Sequence, residues 1–273
     1  MAHIVVPAAE ELLDREVKVL DKGFVRLVDY LGGDARIVAA ARVSYGGGTK
    51  TVREDRGLIN YLMRNAHTSP FEQVVMTFHV KMPIFVMRQW VRHRTARLNE
   101  LSGRYSVMTD EFYIPVDEDI RFQSDKNRQM SSQEEVPPAL RKSVRDILIK
   151  GQEAAYGDYE GLIEKNIARE LARINLPVSV YTQIYWQIDL HNLFHFLRLR
   201  LDEHAQWEIR EYASVLAASA KAVAPMAYEA FEEHTLRAVR LSRKETAALK
   251  DLLAGRPNPL SGRDLEEFEK KLK

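Results

Sequence analysis

The 273-residue chain contains no cysteine. That absence removes disulfides, thiolate zinc sites and cysteine nucleophiles together, and it fits a reducing, cytoplasmic location. No apolar run approaches the roughly 18 residues that a membrane span needs. Residues 1–13 do not read as a signal peptide, because the apolar patch at 4–6 is broken by Pro7 and followed by Glu10 and Glu11. A one-sided charge is missing too: 40 Lys and Arg balance 39 Asp and Glu, for a net +1. Nothing global therefore marks a nucleic-acid or membrane binder, and any basic site is local. Neither glycine-rich nucleotide-loop spacing is present, so the three glycines at 46–48 read as a plain linker. No internal repeat is visible.

What is present reads as strands early and helices late. Residues 17–20 and 24–31 flank Asp21, Lys22 and Gly23 and predict a hairpin. Asp34 is placed to cap a helix over 35–43. A helix is expected at 53–65, a strand at 73–81 and a helix from Ile84 to about Arg94, opened by Pro83. Residues 118–140 are polar and run into Pro137 and Pro138, as a surface excursion would. Helices are expected at about 139–166 and over one long stretch from Ser179 to about Val223. Two capping boxes, at Ser242/Glu245 and Ser261/Asp264, predict a helical C-terminal extension. The order favours an α+β fold, with domains at 1–236 and 237–273.

The chemistry concentrates at residues 92–105, where four arginines and a histidine accompany one acid, Glu100. Guanidinium suits bidentate recognition of phosphate. The Asn, Ser and Gly residues interleaved at 99–103 give the stretch the look of a binding loop rather than a solvated helix end. Arg88, Gln89 and Arg92 share a helix face. A second group lies at 189–208, with Asp189, His191, His195, Arg198, Arg200, Asp202, His204 and Glu208. His191 and His195 have metal-ligand spacing, but Arg198 and Arg200 oppose a cation, so no metal is expected. His67, Ser69 and Arg173 are weak signals individually. On residues alone, a phosphorylated small ligand, nucleic-acid phosphates and a histidine metal site all remain open.

Arg92-His93-Arg94, seven residues, then Ser102 resembles the signature of flavin-dependent thymidylate synthases. The match continues through Asn99-Glu100-Leu101-Ser102-Gly103-Arg104-Tyr105. It includes His67-Thr68-Ser69-Pro70-Phe71-Glu72 upstream, and Leu197-Arg198-Leu199-Arg200 with His204-Ala205-Gln206-Trp207-Glu208-Ile209 downstream. In order, the motifs span about residues 17–235. The resemblance implies an antiparallel sheet with helices and the reductive methylation of dUMP to dTMP. Methylenetetrahydrofolate would give the carbon, reduced FAD the hydride, and NADPH would recharge the flavin. It also implies a homotetramer with shared active sites, binding neither nucleic acid nor membrane. The lack of cysteine agrees independently, since the alternative thymidylate chemistry needs a thiolate.

By the same resemblance, FAD would be held by Ser69, Arg92, His93, Arg94, Glu100, Asp189, Leu190, His191 and His195. The nucleotide dUMP would be held by Gln89, Trp90, Val91, Arg92, Glu100, Leu101, Ser102, Gly103, Arg104, Arg173 and Arg200. Arg200 would act catalytically, set against a uracil carbonyl to favour ionisation at N3. His67 and His204 are further candidates. Ser102 looks like a nucleophile, but no general base is placed for it, so it is assigned to binding.

Overall fold

The computed structural model describes residues 4–43, 52–124, 132 and 134–272. The glycine linker at 46–48 and the middle of the 118–140 excursion lie outside them. Two compact units divide at Ala230/Phe231.

In the larger unit five strands form one antiparallel sheet: β1 (Glu16–Val19), β2 (Gly23–Leu31), β3 (Val75–Pro83), β4 (Arg97–Glu100) and β5 (Tyr181–Asp189). Their spatial order is β1-β2-β3-β5-β4. The α+β class expected from the sequence is thus observed. The sequence-based order of elements misses two strands, β4, which reads as part of a binding loop, and β5. Residues 181–189 are a strand, not the start of a long helix, and this strand lies between β3 and β4. The reason is visible in its side chains. Ile184, Trp186 and Ile188 are buried while Gln183, Tyr185 and Gln187 are not. That alternation has the two-residue period of a half-buried strand.

The face that carries Met76, Phe78, Val80, Ile184, Trp186 and Ile188 is buried. The helices are α1 (Pro7–Glu10), α2 (Asp34–Arg42), α3 (Val52–Arg64), α4 (Ile84–Trp90), α5 (Pro138–Glu164), α6 (Arg169–Ala172), α7 (Leu190–Arg200), α8 (Trp207–Val223) and α9 (Pro225–Phe231), and α4, α7 and α8 pack on the sheet. Of these, α4 and α7 bring Trp90 and Phe196 onto Trp186, and Tyr212 of α8 packs on Trp90, in an aromatic cluster with ring centroids 4.8 to 6.2 Å apart. Burying each such ring is worth about 1.5–3 kcal/mol. The expected helix 84–94 stops at Trp90. Pro83 closes β3 and stands at the N-cap of α4 rather than inside it. Asp34 does not cap its own helix either. Its carboxylate accepts from the Met226 and Ala227 N–H groups, at 2.8 and 3.0 Å, and so caps α9.

A second core forms under α5, from Met108, Phe112, Tyr159, Ala172 and Val180. The Tyr159 hydroxyl accepts from Met108 N–H at 2.9 Å, and Gln152 donates to the Tyr113 carbonyl at 3.1 Å. These bonds moor the segment that follows residue 105. Among the described residues, no helix is long and apolar enough to cross a membrane.

The smaller unit opens on a π-helical turn, Glu232–Leu236, and carries α10 (Arg243–Leu253) and α11 (Gly262–Leu272). The expected capping box at Ser242 forms, with Ser242 Oγ accepting from Glu245 N–H and Glu245 accepting from Ser242 N–H at 2.6 Å. Glu245 also accepts from Lys271 of α11 at 2.7 Å.

Two outcomes follow from this packing. At Gly23 a Cβ would lie 2.1 Å from Tyr212 Oη and 2.7 Å from the carbonyls of Lys81 and Val19. Gly23→Ala should therefore destabilise the larger unit by about 1–3 kcal/mol. An unchanged thermal midpoint would show that the sheet yields there. The second concerns Glu245. The hydrogen bond from Lys271, with those from the Ser242 backbone and side chain, holds its pKa down to about 2. Because the folded-state value is depressed, the stability it contributes is complete above the ordinary value of 4.5 and lost as the pH falls towards 2. A carboxyl-carbon NMR titration of Glu245 should have its midpoint near 2; a midpoint near 4.5 would refute the arrangement.

Candidate active site

The basic segment begins where α4 runs out. Trp90 ends the helix, and the His93 N–H donates to the Trp90 carbonyl at 3.0 Å, turning the chain. Opposite, Asp189 caps α7 by accepting from Asn192 N–H at 3.0 Å, and α7 then runs to Arg200. The two helix ends meet. Arg200 Nε donates to His93 Nε2 at 3.0 Å and Arg200 Nη2 donates to the Gln89 carbonyl at 3.3 Å. Gln89 also donates to Gln206, just before α8. The His93 ring packs on Phe196 at 4.6 Å and meets His195 at 5.8 Å.

Cations crowd this junction, and the ionisations follow. Burial, then Arg200 and His195, lower the His93 pKa to about 4. His93 is therefore neutral at physiological pH. Since its Nε2 accepts, its proton sits on Nδ1. Burial, then Arg198 and His191, lower His195 as well, and burial lowers Arg200. Among the described residues no carboxylate pairs with Arg92, Arg94, Arg173, Arg198 or Arg200. His204 is different: its N–H and ring Nδ1 both engage Asp202, at 2.9 and 2.8 Å. No group of three or more His, Cys, Asp or Glu side chains among the described residues could hold a metal ion.

The second half of the segment lies at the other end of β4. There Leu101 N–H donates to the Gln183 carbonyl at 2.9 Å and Glu100 accepts from the Thr182 hydroxyl at 2.9 Å. The Ser102 carbonyl accepts from the N–H groups of Tyr105 and Ser106, both at 3.0 Å. A Cβ on Gly103 would lie 3.0 Å from both Arg173 Cδ and Met108 Sδ, so glycine is what lets Arg173 come this close. Arg104 is exposed and donates to Glu170 at 3.0 Å, while Arg169 donates to the Tyr105 carbonyl at 2.8 Å.

The structure thus brings Gln89, Arg92, His93, Arg200 and His195 together, and separately Glu100, Leu101, Ser102, Gly103, Arg104 and Arg173. Asp189, Leu190 and His191 stand at the start of α7, about 15 Å along the helix from Arg200. Beside them packs the 3-10 turn Phe71–Gln73, which follows Ser69. His67 lies edge-on to Tyr61 at 5.7 Å. Trp90 and Leu190 are fully buried, which leaves their backbones for any ligand, whereas Val91 and Arg94 reach the surface. Sequence reasoning missed Thr182 and Gln183, because the stretch holding them read as helix; its alternation was the available signal. It also missed Glu170, for which no pattern exists.

Two family models match: "Thymidylate synthase complementing protein" over residues 26–226, and "Thymidylate synthase ThyX C-terminal domain" over 239–273. The chain is 62% identical to a flavin-dependent thymidylate synthase of Treponema denticola, across 96% of this chain and 98% of that one. It is 58% identical to one from Thermus thermophilus, across 87% and 86%. Among solved structures it is similar to a UMP/dUMP methylase, PolB, from Streptomyces cacaoi bound with 5-Br dUMP. The TM-score is 0.73 at 34% identity, covering 80% of this chain and 97% of that one. With unpaired arginines at the matching signature, no cysteine, and family models spanning most of its length, the chain belongs to the flavin-dependent thymidylate synthase family.

Proposed function

We propose that the protein methylates dUMP to dTMP with bound FAD, taking the carbon from 5,10-methylenetetrahydrofolate and reducing power from NADPH, in the cytoplasm. Residues 1–236 form the catalytic part and 237–273 a helical extension. The observation that carries the reading is Arg200: a half-buried guanidinium, held by a neutral imidazole and a carbonyl, with no carboxylate among the described residues to discharge it.

The residues fit both anionic ligands. Unpaired guanidinium groups stand at each end of β4, as a flavin diphosphate and a nucleotide monophosphate require. FAD, held by Arg92, His93, Arg94, His195, Glu100, Ser69 and the 189–191 turn, supplies when reduced the hydride that completes the methyl group. Gln89, Arg92 and the backbone at 90–91 orient the pyrimidine. Arg200 stabilises negative charge on the ring as N3 loses its proton, which raises electron density at C5. A fixed charge in a water-poor site is worth several kcal/mol, about the 2.7–4 kcal/mol of one preorganised donor. This replaces activation by a thiolate, which a chain without cysteine cannot provide. Ser102, Gly103, Arg104 and Arg173 bind the phosphate; His67 and His204 border the site.

The four residues of β4 separate the Arg200 end from the Ser102 end by about 10 Å along the strand. Two half-sites so spaced fit a homotetramer in which each active site takes one half from each of two chains.

Purified protein should show a flavin spectrum and form dTMP from dUMP, methylenetetrahydrofolate and NADPH, with UMP as the comparison substrate. Flavin without dTMP would overturn the substrate assignment. Shared sites have their own test. Arg200→Ala and Arg173→Ala should each lower turnover at least a hundredfold, yet mixing the two after reversible dissociation should restore part of the activity. No recovery from mixed oligomers would place both half-sites in one chain.

A further inference from the structure

Arg200 is anchored through one edge of its guanidinium. Nε donates to His93 Nε2 at 3.0 Å and Nη2 to the Gln89 carbonyl at 3.3 Å. The acceptors belong to the last turn of α4 and to the residue three beyond it, and among the described residues nothing bonds Nη1. His93 is itself held by three features: its N–H bonds the Trp90 carbonyl, its ring lies on Phe196, and His195 meets its edge. Phe196 in turn packs on Trp90 and Trp186 in the core.

We propose that His93 is a positioning residue for Arg200, accepting a hydrogen bond at Nε2 that fixes the guanidinium plane and turns the Nη1 edge toward the pyrimidine. The proposal rests on the reading of Arg200 given above, and it adds to the flavin contact expected of His93 from family resemblance.

The choice of an imidazole has a physical reason. A carboxylate at this place would hold Arg200 more tightly but would cancel the charge that the reacting ring needs. A neutral acceptor orients the guanidinium and leaves its charge intact. The acceptor role requires a lone pair on Nε2, and the surroundings keep it. Arg200 and His195 of α7 face the ring, with Arg198 and His191 behind His195, while the Gln89 carbonyl is taken by Arg200 and the Trp90 carbonyl by the His93 backbone. Protonation would set one N–H against another and a second cation beside Arg200.

The test uses full-length enzyme at saturating FAD, with flavin content read from visible absorbance. His93→Phe keeps a flat ring on Phe196 and removes the acceptor; His93→Gln returns an acceptor near the position of Nε2. His93→Phe should lower kcat about ten- to a hundredfold, the range for one hydrogen bond to a charged group, with the KM for dUMP changed less than threefold. His93→Gln should recover most of the loss. In an Arg200→Ala background, His93→Phe should cost little more, because the two act through one interaction. Where Arg200→Ala turnover is too slow to follow in the steady state, the same cycle is read on the single-turnover rate of dTMP formation. Additive losses, failure of Gln to rescue, or full recovery of His93→Phe by excess FAD would each overturn the positioning role. Wild-type turnover in Arg200→Ala would instead sink the reading of Arg200 beneath it, so the two failures are distinguishable.

Discussion

The pairing of β3 with β5 is the constraint on which the rest depends. Nine residues of each strand are in register, from Val75 opposite Asp189 to Pro83 opposite Tyr181. Each strand ends directly in a helix, β3 in α4 and β5 in α7. Because the strands are antiparallel, the helices start at opposite ends of the pair and run toward each other. Nine residues of strand span about 30 Å. Helices of seven and eleven residues run about 10 and 16 Å. Their C-termini therefore meet near the middle of the sheet, over Trp186. A one-residue slip in register would turn Trp186 to the other face and remove the surface on which Trp90 and Phe196 bring the two ends together.

Two helix C-termini in one place make a junction that favours cations, since each end carries partial negative charge. The residues there, Arg92, His93, Arg94, Arg198 and Arg200, suit that field. The junction is nonetheless too cation-rich to charge everything it holds. Arginine keeps its proton at any ordinary pH, so the histidines give theirs up: His93 falls to about 4 and His195 falls as well. The same crowding of cations makes His93 an acceptor. The sheet's other face uses a histidine by a similar logic. Arg26 donates to His79 Nδ1 at 2.9 Å, His79 Nε2 lies 2.8 Å from Gln183, and the ring stacks on Tyr185.

Much of this was legible in the sequence. The β1–β2 hairpin, α3, α5 and the capping box at Ser242 read correctly from turn residues, periodicity and spacing. What failed did so for identifiable reasons. Residues 181–189 were absorbed into a helix because Leu190 to Val223 is strongly helical and no proline or glycine marks the junction; only the alternation of Ile184, Trp186 and Ile188 distinguished it. Asp34 looked like a local cap, and its partners, Met226 and Ala227, lie 192 and 193 residues away. No local rule can find such a bond. The contact of His93 with Arg200 crosses 107 residues and depends on where two helices end, which is a property of the register and not of either segment alone.

The segment at 92–105 shows the same limit from the other side. As a string it reads as one continuous binding loop. In space β4 divides it, since Arg97 to Glu100 pair with Gln187 to Ile184 along the sheet's edge. An edge strand of only four exposed residues is short enough to resist further pairing, yet long enough to hold its two ends apart. Before it, His93 meets Arg200 of α7; after it, Arg104 pairs with Glu170 of α6, and Gly103 lies against Arg173 and Met108. Charge that the sequence concentrates in fourteen residues is thus delivered to two places by a strand too short for its own alternation to be read. The two groups therefore stand at opposite ends of a sheet edge, about 10 Å apart along the strand.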